Sequence, residues 1–360
     1  MPRFPLPACG LAPDQLAAFA RLRYVCDADA GFTRKAVGGG FEYLSPQGRP
    51  VRDPRLVARF EQLVIPPAWQ EVWICRHAKG HLQATGRDSR KRKQYLYHPR
   101  WSEISNLVKF WRLGNFGEAL PALRRAVAKD LLGTKLSRTR VLAGVVGLLD
   151  ATSIRIGHEE YVAQNNSYGL TTLRDRHVTV GRASIELRFV GKGGFRKVAV
   201  VDDPALVRLV KQSRALRGAH LFQYLDGQKA RSVTAADVNE YLHAVTGQPF
   251  SAKDFRTWKA SALVAGTLYE YRELDRLSQR RRIMKTVVHD AAASLGNTPT
   301  VCRNYYIHPG LLSTYQDGTF SDHLNRFKPR ARKQLAVAEQ VLQRFLDHWS
   351  ASQGPLACSA

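Results

Sequence analysis

Five stretches of this 360-residue chain carry side chains that could act on a phosphate. The first is Gly86 to His98, GRDSRKRKQYLYH. Arg87 and Arg90 to Lys93 put five basic residues into seven positions. Arg92 and Lys93 suit phosphate contact, and Gln94 can read adenine or another base edge. On a strand, Tyr95 and Tyr97 share one face, where their rings can lie against sugar or base. A solvated charged loop ahead of a strand with core tyrosines accounts for the same residues. The second stretch holds Arg155, in DATSIRIGHEEY. If the helix from Arg138 runs on, Val141, Val145, Leu148, Thr152 and Arg155 line one stripe, and the arginine faces inward. An inward arginine needs an anionic partner. An ion pair with Glu159 or Glu160 would serve equally well.

Lys192 sits at the tip of a hairpin, between Gly191 and Gly193-Gly194. Glycine allows close approach to another surface. The GKGG run is no phosphate loop, because no GxxxxGK precedes it and no Ser or Thr follows. An ordinary turn lysine is the plain alternative. Further on, Ser251 would cap a helix whose first turns hold Lys253 and Arg256. Unpaired backbone N–H groups there favour an anion, though a solvated basic face explains the residues too. In the last stretch Gly296 stops one helix, and Thr298-Pro299 begin another as N-cap and first residue. That short helix carries Tyr305 and Tyr306 before Pro309. Taken alone, its tyrosines read as aromatic packing.

These residues need elements to hold them. From Leu22 to about Trp101 short apolar runs alternate between Gly, Pro and Asp punctuation, as in Phe41 to Leu44, Glu71 to Ile74, His81 to Thr85 and Gln94 to His98. That pattern predicts a small, mostly β domain, residues 1–101. Helical spacing takes over at 102–113, 116–132 and 138–150. Alternation returns in His177 to Val180, Ile185 to Phe189 and Arg196 to Val200, the last two joined as a hairpin. Helices resume at 204–213, 234–245, 252–270, 282–294 and 321–348. Thr234 with Asp237, and Ser251 with Asp254, form capping boxes. The fold class is α+β, and residues 102–360 form a larger, mainly helical domain with one small inserted sheet. No internal repeat interrupts it.

Composition narrows the partner. Fifty-five Lys and Arg face thirty Asp and Glu, a net charge of +25. Such a chain attracts a polyanion. The candidates are nucleic acid, an anionic membrane or ribosomal RNA, and a merely soluble basic protein is the bland reading. At 44% hydrophobic residues the chain can bury real cores. No apolar run approaches the ~18 residues of a membrane span, and no signal-peptide core opens the chain. Cys9, Cys26, Cys75, Cys302 and Cys358 show no CxxC spacing, so neither a zinc ribbon nor a disulfide framework is expected. Cys26 and Cys75 read as small buried hydrophobes. A reducing, cytoplasmic setting follows.

Taken together, these stretches resemble the type IB DNA topoisomerases of the small poxviral and bacterial kind. The resemblance runs from about Leu22 to Thr314. Its markers include Ile65-Pro66-Pro67-Ala68-Trp69, Arg92-Lys93-Gln94-Tyr95, Ser153-Ile154-Arg155-Ile156-Gly157, Phe189-Val190-Gly191-Lys192, Lys253-Asp254-Phe255-Arg256-Thr257 and Tyr306-Ile307-His308-Pro309. It implies a catalytic set of Arg155, Lys192, Arg256, Asn297 and Tyr306. Tyr306 is preferred to Tyr305 because the family nucleophile directly precedes the Ile-His-Pro stretch. Asn297 stands where viral and nuclear enzymes carry histidine and bacterial members carry asparagine. An asparagine donates a hydrogen bond but neither charges nor shuttles protons.

The implied reaction is attack of the tyrosine oxygen on a DNA phosphodiester, giving a 3′-phosphotyrosine and a 5′-hydroxyl. The duplex swivels and the hydroxyl reseals it. Arg155 and Arg256 would clamp the nonbridging oxygens, and Lys192 would protonate the leaving oxygen. Lys253 is a second candidate for assisting that transfer. The resemblance implies no cofactor, neither ATP nor metal. It also implies a monomer that closes as a clamp on double-stranded DNA, nucleoid-associated and without a membrane partner. A tyrosine recombinase shares this chemistry, but usually shows His-x-x-Arg where this chain has Lys253 to Arg256, and a helical N-terminal domain. A noncatalytic DNA-binding protein would use the charge and the 86–98 stretch equally well.

Overall fold

The structure, a computed structural model, describes residues 12–216, 218–330 and 332–352; Cys9 and Cys358 lie outside them. It is an α+β protein with antiparallel sheets. The chain divides into two compact units, one ending at Trp111 and the other beginning at Arg112.

In the first unit α1 (Pro13–Phe19) buries Leu16 and Ala17 with Ala20, Leu22 and Ile104. Strands β1 (Phe32–Val37) and β2 (Gly40–Leu44) precede α2 (Pro54–Gln62), and β3 (Gln70–Ile74), β4 (Leu82–Arg87) and β5 (Lys93–Tyr97) follow it. The five strands form one sheet in the order β2-β1-β3-β4-β5. Alternation buries Val72 and Ile74 on the face that α2 covers. There Phe60 meets the rings of Phe32 and Tyr43 at 4.9 and 5.0 Å. The strand-like sequence pattern hides α2, yet its start signal is present: the Asp53 carboxylate accepts from Arg55 N–H at 2.8 Å, and Pro54 takes the first helical position. Cys75 is buried, but Cys26 is exposed. It sits in a turn, where its N–H donates to Asp29 Oδ2 at 3.0 Å.

Helix α3 (Pro99–Asp130) runs unbroken where the sequence suggests two helices. Gly114 costs an interior turn only about 1 kcal/mol, too little to stop a long helix. Gly117 is required by packing, since a Cβ there would come within 2.2 Å of the Trp258 ring. In the second unit come α4 (Arg138–Thr152), α5 (Glu159–Asn165), β6 (Val178–Val180), β7 (Ile185–Val190), β8 (Arg196–Val201) and α6 (Pro204–Ala215). Then follow β9 (Gln223–Asp226), β10 (Lys229–Ser232), α7 (Ala235–Thr246), α8 (Ala252–Glu270), α9 (Leu277–Leu295), α10 (Pro299–Tyr305), α11 (Pro309–Asp317) and α12 (Val337–Ser352). Strands β6-β7-β8 form one sheet and β9-β10 a two-stranded ribbon. The ribbon turns through Gly227 at φ +61°, an Asp-Gly hairpin signal that the sequence reading passed over.

Helix α8 is the axis of this unit, packed against α9 and α12 with Phe255, Trp258, Val264 and Leu268 buried. Trp258 Nε1 donates to Glu339 Oε1 at 2.9 Å. Arg124 bridges Asp150 and Glu339, at 2.7 Å each, and so ties α3, α4 and α12 together. The single helix expected at 321–348 is not formed. After α11 come a 3-10 turn at Asp322–Leu324 and irregular chain before α12. Asn325 and Arg326 adopt positive φ, and Pro329 cannot continue a helix.

Candidate active site

Arg256 stands one turn into α8. The Asp254 carboxylate accepts from the N–H and hydroxyl of Ser251, at 2.7 and 3.0 Å, and fixes the start of that helix. Arg256 is 4% exposed. Its Nη1 donates to the Ser153 carbonyl at 2.6 Å and its Nη2 to the Leu295 carbonyl at 3.0 Å. These carbonyls close α4 and α9. Helix C-termini leave such oxygens unpaired and attract cations, so two helix ends hold one guanidinium. Its Nε is buried and has no partner among the described residues.

Arg155 is not on a helical stripe. Helix α4 ends at Thr152, and Ser153 turns the chain at φ +53°. The segment that follows is held by tertiary contacts instead. Leu170 N–H donates to the Arg155 carbonyl at 2.9 Å and Thr171 N–H to the Ile156 carbonyl at 2.7 Å. Gly169 permits this approach, because a Cβ there would meet the Arg155 carbonyl oxygen and Gly157 N at 2.5 Å. The guanidinium donates to Asn297 Oδ1 at 2.6 Å, not to Glu159 or Glu160. Arginine can only donate, so Asn297 must turn its oxygen toward it. That leaves Asn297 Nδ2, which is buried without a partner among the described residues. A buried unmade donor costs about 1–3 kcal/mol. Two of them, on Arg256 and Asn297, mark a place built for an acceptor.

Lys192 opens a short turn between β7 and β8, closed by Gly191 N–H donating to the Phe195 carbonyl at 2.8 Å. Arg155, Lys192, Arg196, Lys197 and Arg256 line one open cavity, whose walls carry no Asp or Glu. Lys197 was not singled out in the sequence. It donates to the Ser294 carbonyl. Burial, then Arg256 and Arg155, push its ammonium below the ordinary lysine value.

Tyr306 ends α10, which Thr298 caps by accepting from Val301 N–H at 3.3 Å. Arg256 Cζ lies 5.1 Å from the centre of the Tyr306 ring. Burial raises the phenol pKa, but Arg256, by charge and hydrogen bonding, and then Arg155 and Lys192 lower it, and the net direction is down. The phenolate is thereby favoured. Ser261 Oγ donates to the Tyr306 carbonyl at 3.1 Å and itself accepts from His308 N–H at 3.0 Å. Ser261, on the buried face of α8, gave no signal in the sequence. His308 is structural: burial pushes it down to about 3, and its Nδ1 accepts from Gly310 N–H at 3.2 Å to cap α11. Tyr305 is 48% exposed.

Five expected residues, Arg155, Lys192, Arg256, Asn297 and Tyr306, thus form one neighbourhood. Lys253 is exposed in the first turn of α8 and is absent from the cavity wall. The 92–97 residues belong to the first unit. There Tyr95 and Tyr97 stack 6.1 Å apart and stand 49% and 41% exposed. Their basic neighbours are occupied. Arg92 pairs with Asp88 at 2.6 Å and Lys93 with Asp27 at 2.5 Å. Gln94 Nε2 also donates to Asp88, at 3.0 Å. Hydrogen bonding from Arg92 holds the Asp88 carboxyl down to about 2.

A tyrosine among cations and unpaired donors is equipment for moving a phosphoryl group onto a protein side chain. Comparison with known proteins specifies which. Residues 91–335 match the family model of the eukaryotic DNA topoisomerase I catalytic core, and residues 40–88 that of the bacterial DNA topoisomerase IB N-terminal domain. DNA topoisomerase 1B of Acanthamoeba polyphaga mimivirus is 30% identical over 82% of this chain and 91% of its own length. DNA topoisomerase 1B of vaccinia virus and DNA topoisomerase I of monkeypox virus are each 21% identical, over 72% of this chain and 79% of theirs. The chain belongs to the type IB DNA topoisomerases, isomerases that relax supercoiled DNA through a transient phosphotyrosine bond.

Proposed function

We propose that Tyr306 is the nucleophile of this topoisomerase and that Arg155, Lys192, Arg256 and Asn297 complete its site. Tyr306 Oη attacks the phosphorus in line, and the bond to the 5′-oxygen breaks. Arg256 Nε and Asn297 Nδ2, two buried donors without partners among the described residues, take the nonbridging oxygens as charge grows there. Arg155 adds charge and holds the asparagine amide in the donating orientation. Lys192, on its exposed turn, gives its proton to the departing oxygen and takes it back on resealing. Lys253, exposed in the first turn of α8, is the second candidate for assisting that transfer. The observation that carries this reading is the contact of Arg256 with the Tyr306 ring beside those unpaired donors.

Residues 1–101 serve as a DNA-clamping β domain, and residues 102–360 as a mainly helical catalytic domain around the inserted sheet β6-β7-β8. Arg92, Lys93, Gln94, Tyr95 and Tyr97 contact the duplex in the first. The protein works as a monomer that closes on double-stranded DNA, in a cytoplasmic, nucleoid-associated setting. Among the described residues no helix is long and apolar enough to cross a membrane.

Plasmid relaxation in EDTA without ATP is the deciding assay. Wild type relaxes supercoiled plasmid; Tyr306→Phe binds DNA but neither relaxes it nor forms a covalent adduct, a loss of at least ~10⁴-fold. Covalent trapping by Tyr306→Phe together with its loss in Tyr305→Phe would move the nucleophile one residue back. Failure of wild type in EDTA would overturn the metal-free mechanism.

A further inference from the structure

The segment Ser294-Leu295-Gly296-Asn297 is gripped by three cations. Arg155 holds the Asn297 side chain, Arg256 the Leu295 carbonyl and Lys197 the Ser294 carbonyl. Arg155 and Arg256 come from the segment after α4 and from the first turns of α8. Lys197 comes from β8, five residues beyond Lys192 in the same hairpin. No carboxylate among the described residues pairs with it. Keeping an ammonium half-buried beside two guanidiniums without a carboxylate is costly. A solvated strand position would avoid that cost, as Arg196 and Val198 on either side do by being exposed.

The turn that carries Lys192 is held by its own backbone, through Gly191 N–H to the Phe195 carbonyl and Gly194 N–H to the Gly191 carbonyl, and its side chains stand in solvent. Residues 192 to 196 are all exposed, and Gly193 and Gly194 both adopt φ +80°. The geometry points to Lys197 as a positioning residue for the cleavage reaction: it staples the Lys192 hairpin to the carbonyl end of α9. Lys192 is thereby set against the same phosphate that Asn297 addresses three residues beyond the staple. This inference rests on the reading of Lys192 as proton donor. A lysine that merely capped α9 would affect stability alone, and would not care what leaves the phosphorus.

That distinction gives the experiment. Single-turnover cleavage is measured on a short duplex that wild type cuts, with either oxygen or sulfur as the 5′ bridging atom at the cut. An alkoxide needs a proton to leave, whereas a thiolate, with a conjugate acid near pKa ~8.5, does not. Lys192→Ala is the reference, slow on oxygen by ~10²–10⁴-fold and restored on sulfur. Lys197→Met is expected to lose about 10–100-fold on oxygen, a part of that general-acid contribution. On sulfur the loss should shrink at least about fivefold. Lys197→Arg, which can still donate to the Ser294 carbonyl, should recover most of the rate. If Lys197→Met fails to fold, Lys197→Gln decides by the same oxygen-to-sulfur ratio. A loss within about twofold on oxygen, or equal on both atoms, overturns the inference while Lys192→Ala still shows rescue. Failure of Lys192→Ala to be rescued by sulfur overturns the donor reading, and this inference with it.

Discussion

Two basic regions of the molecule differ in what balances their charge. Along β5 and the turn before it, Arg87 faces Glu71, Arg92 faces Asp88 and Lys93 faces Asp27. In the second, Arg256 beside Tyr306 and four further cations line a cavity whose described residues include no Asp or Glu, and the buried donors Arg256 Nε and Asn297 Nδ2 are unmatched among the described residues. Three of the first region's five basic residues are satisfied as they stand; Arg90 and Lys91 form no ion pair among the described residues. The paired cations must exchange a carboxylate for a phosphate, so each contact yields less than a free lysine would. The second is electrostatically incomplete until an anion arrives. A contact surface can afford internal partners; a site that stabilises growing negative charge cannot, because a resident carboxylate would compete with the reacting phosphate.

The largest expected effect comes from removing the most buried cation. Arg256→Ala should slow adduct formation by ~10²–10³-fold or more, the loss typical of a deleted transition-state donor. DNA affinity at fixed salt should change far less. Arg256→Lys should recover little, since a compact ammonium lacks the planar guanidinium fork that spans two helix ends at once. Quench-flow cleavage and filter binding measure the two quantities, and equal losses in both would erase the contrast between the regions.

A smaller effect concerns pH. The cations lower the Tyr306 pKa, so phenolate forms at a lower pH than in free tyrosine. Cleavage should therefore rise with pH and level off once the phenolate is populated. Arg155→Ala removes one lowering charge, and the rising limb should move to higher pH whatever happens to the plateau. A limb that stays in place would show that the cavity charge does not act through the tyrosine.

The smallest effect tests the satisfied region. Asp27→Asn releases Lys93 and removes one negative charge beside it, so DNA binding should tighten modestly. The slope of log affinity against log salt should steepen by up to about 0.9, one further phosphate neutralised. Titrations at several salt concentrations will show it. An unchanged slope would mean that Lys93 already leaves Asp27 in the complex, and the two regions would be less different than they look.

Much of this was legible in the sequence wherever a local rule sets the structure. Thr234 with Asp237 and Thr298 before Pro299 cap helices as their types require. Alternation in 185–190 and 196–201 gave the hairpin that carries Lys192. What stayed hidden was set by distant partners. The sequence offered a helical stripe for Arg155, but the residue owes its place to the 169–171 segment docking on 155–157. Lys197 reads as one more charge on an alternating strand until Ser294 is beside it. Ser261 is an unremarkable helix serine until the chain brings Tyr306 back to it. Local pattern also misjudged the chain after Gly318, where left-handed residues and Pro329 interrupt an otherwise periodic run.

The Ser261 contact bears on what happens after the cut. With Tyr306 as the attached residue, the broken strand hangs from a backbone whose carbonyl is tied to the buried face of α8. As supercoiled DNA unwinds it exerts torque, and the tether passes that load into packed core, not into a loose loop. The anchored end stays in place while the free end turns. Rejoining then needs only one strand terminus to find its way back.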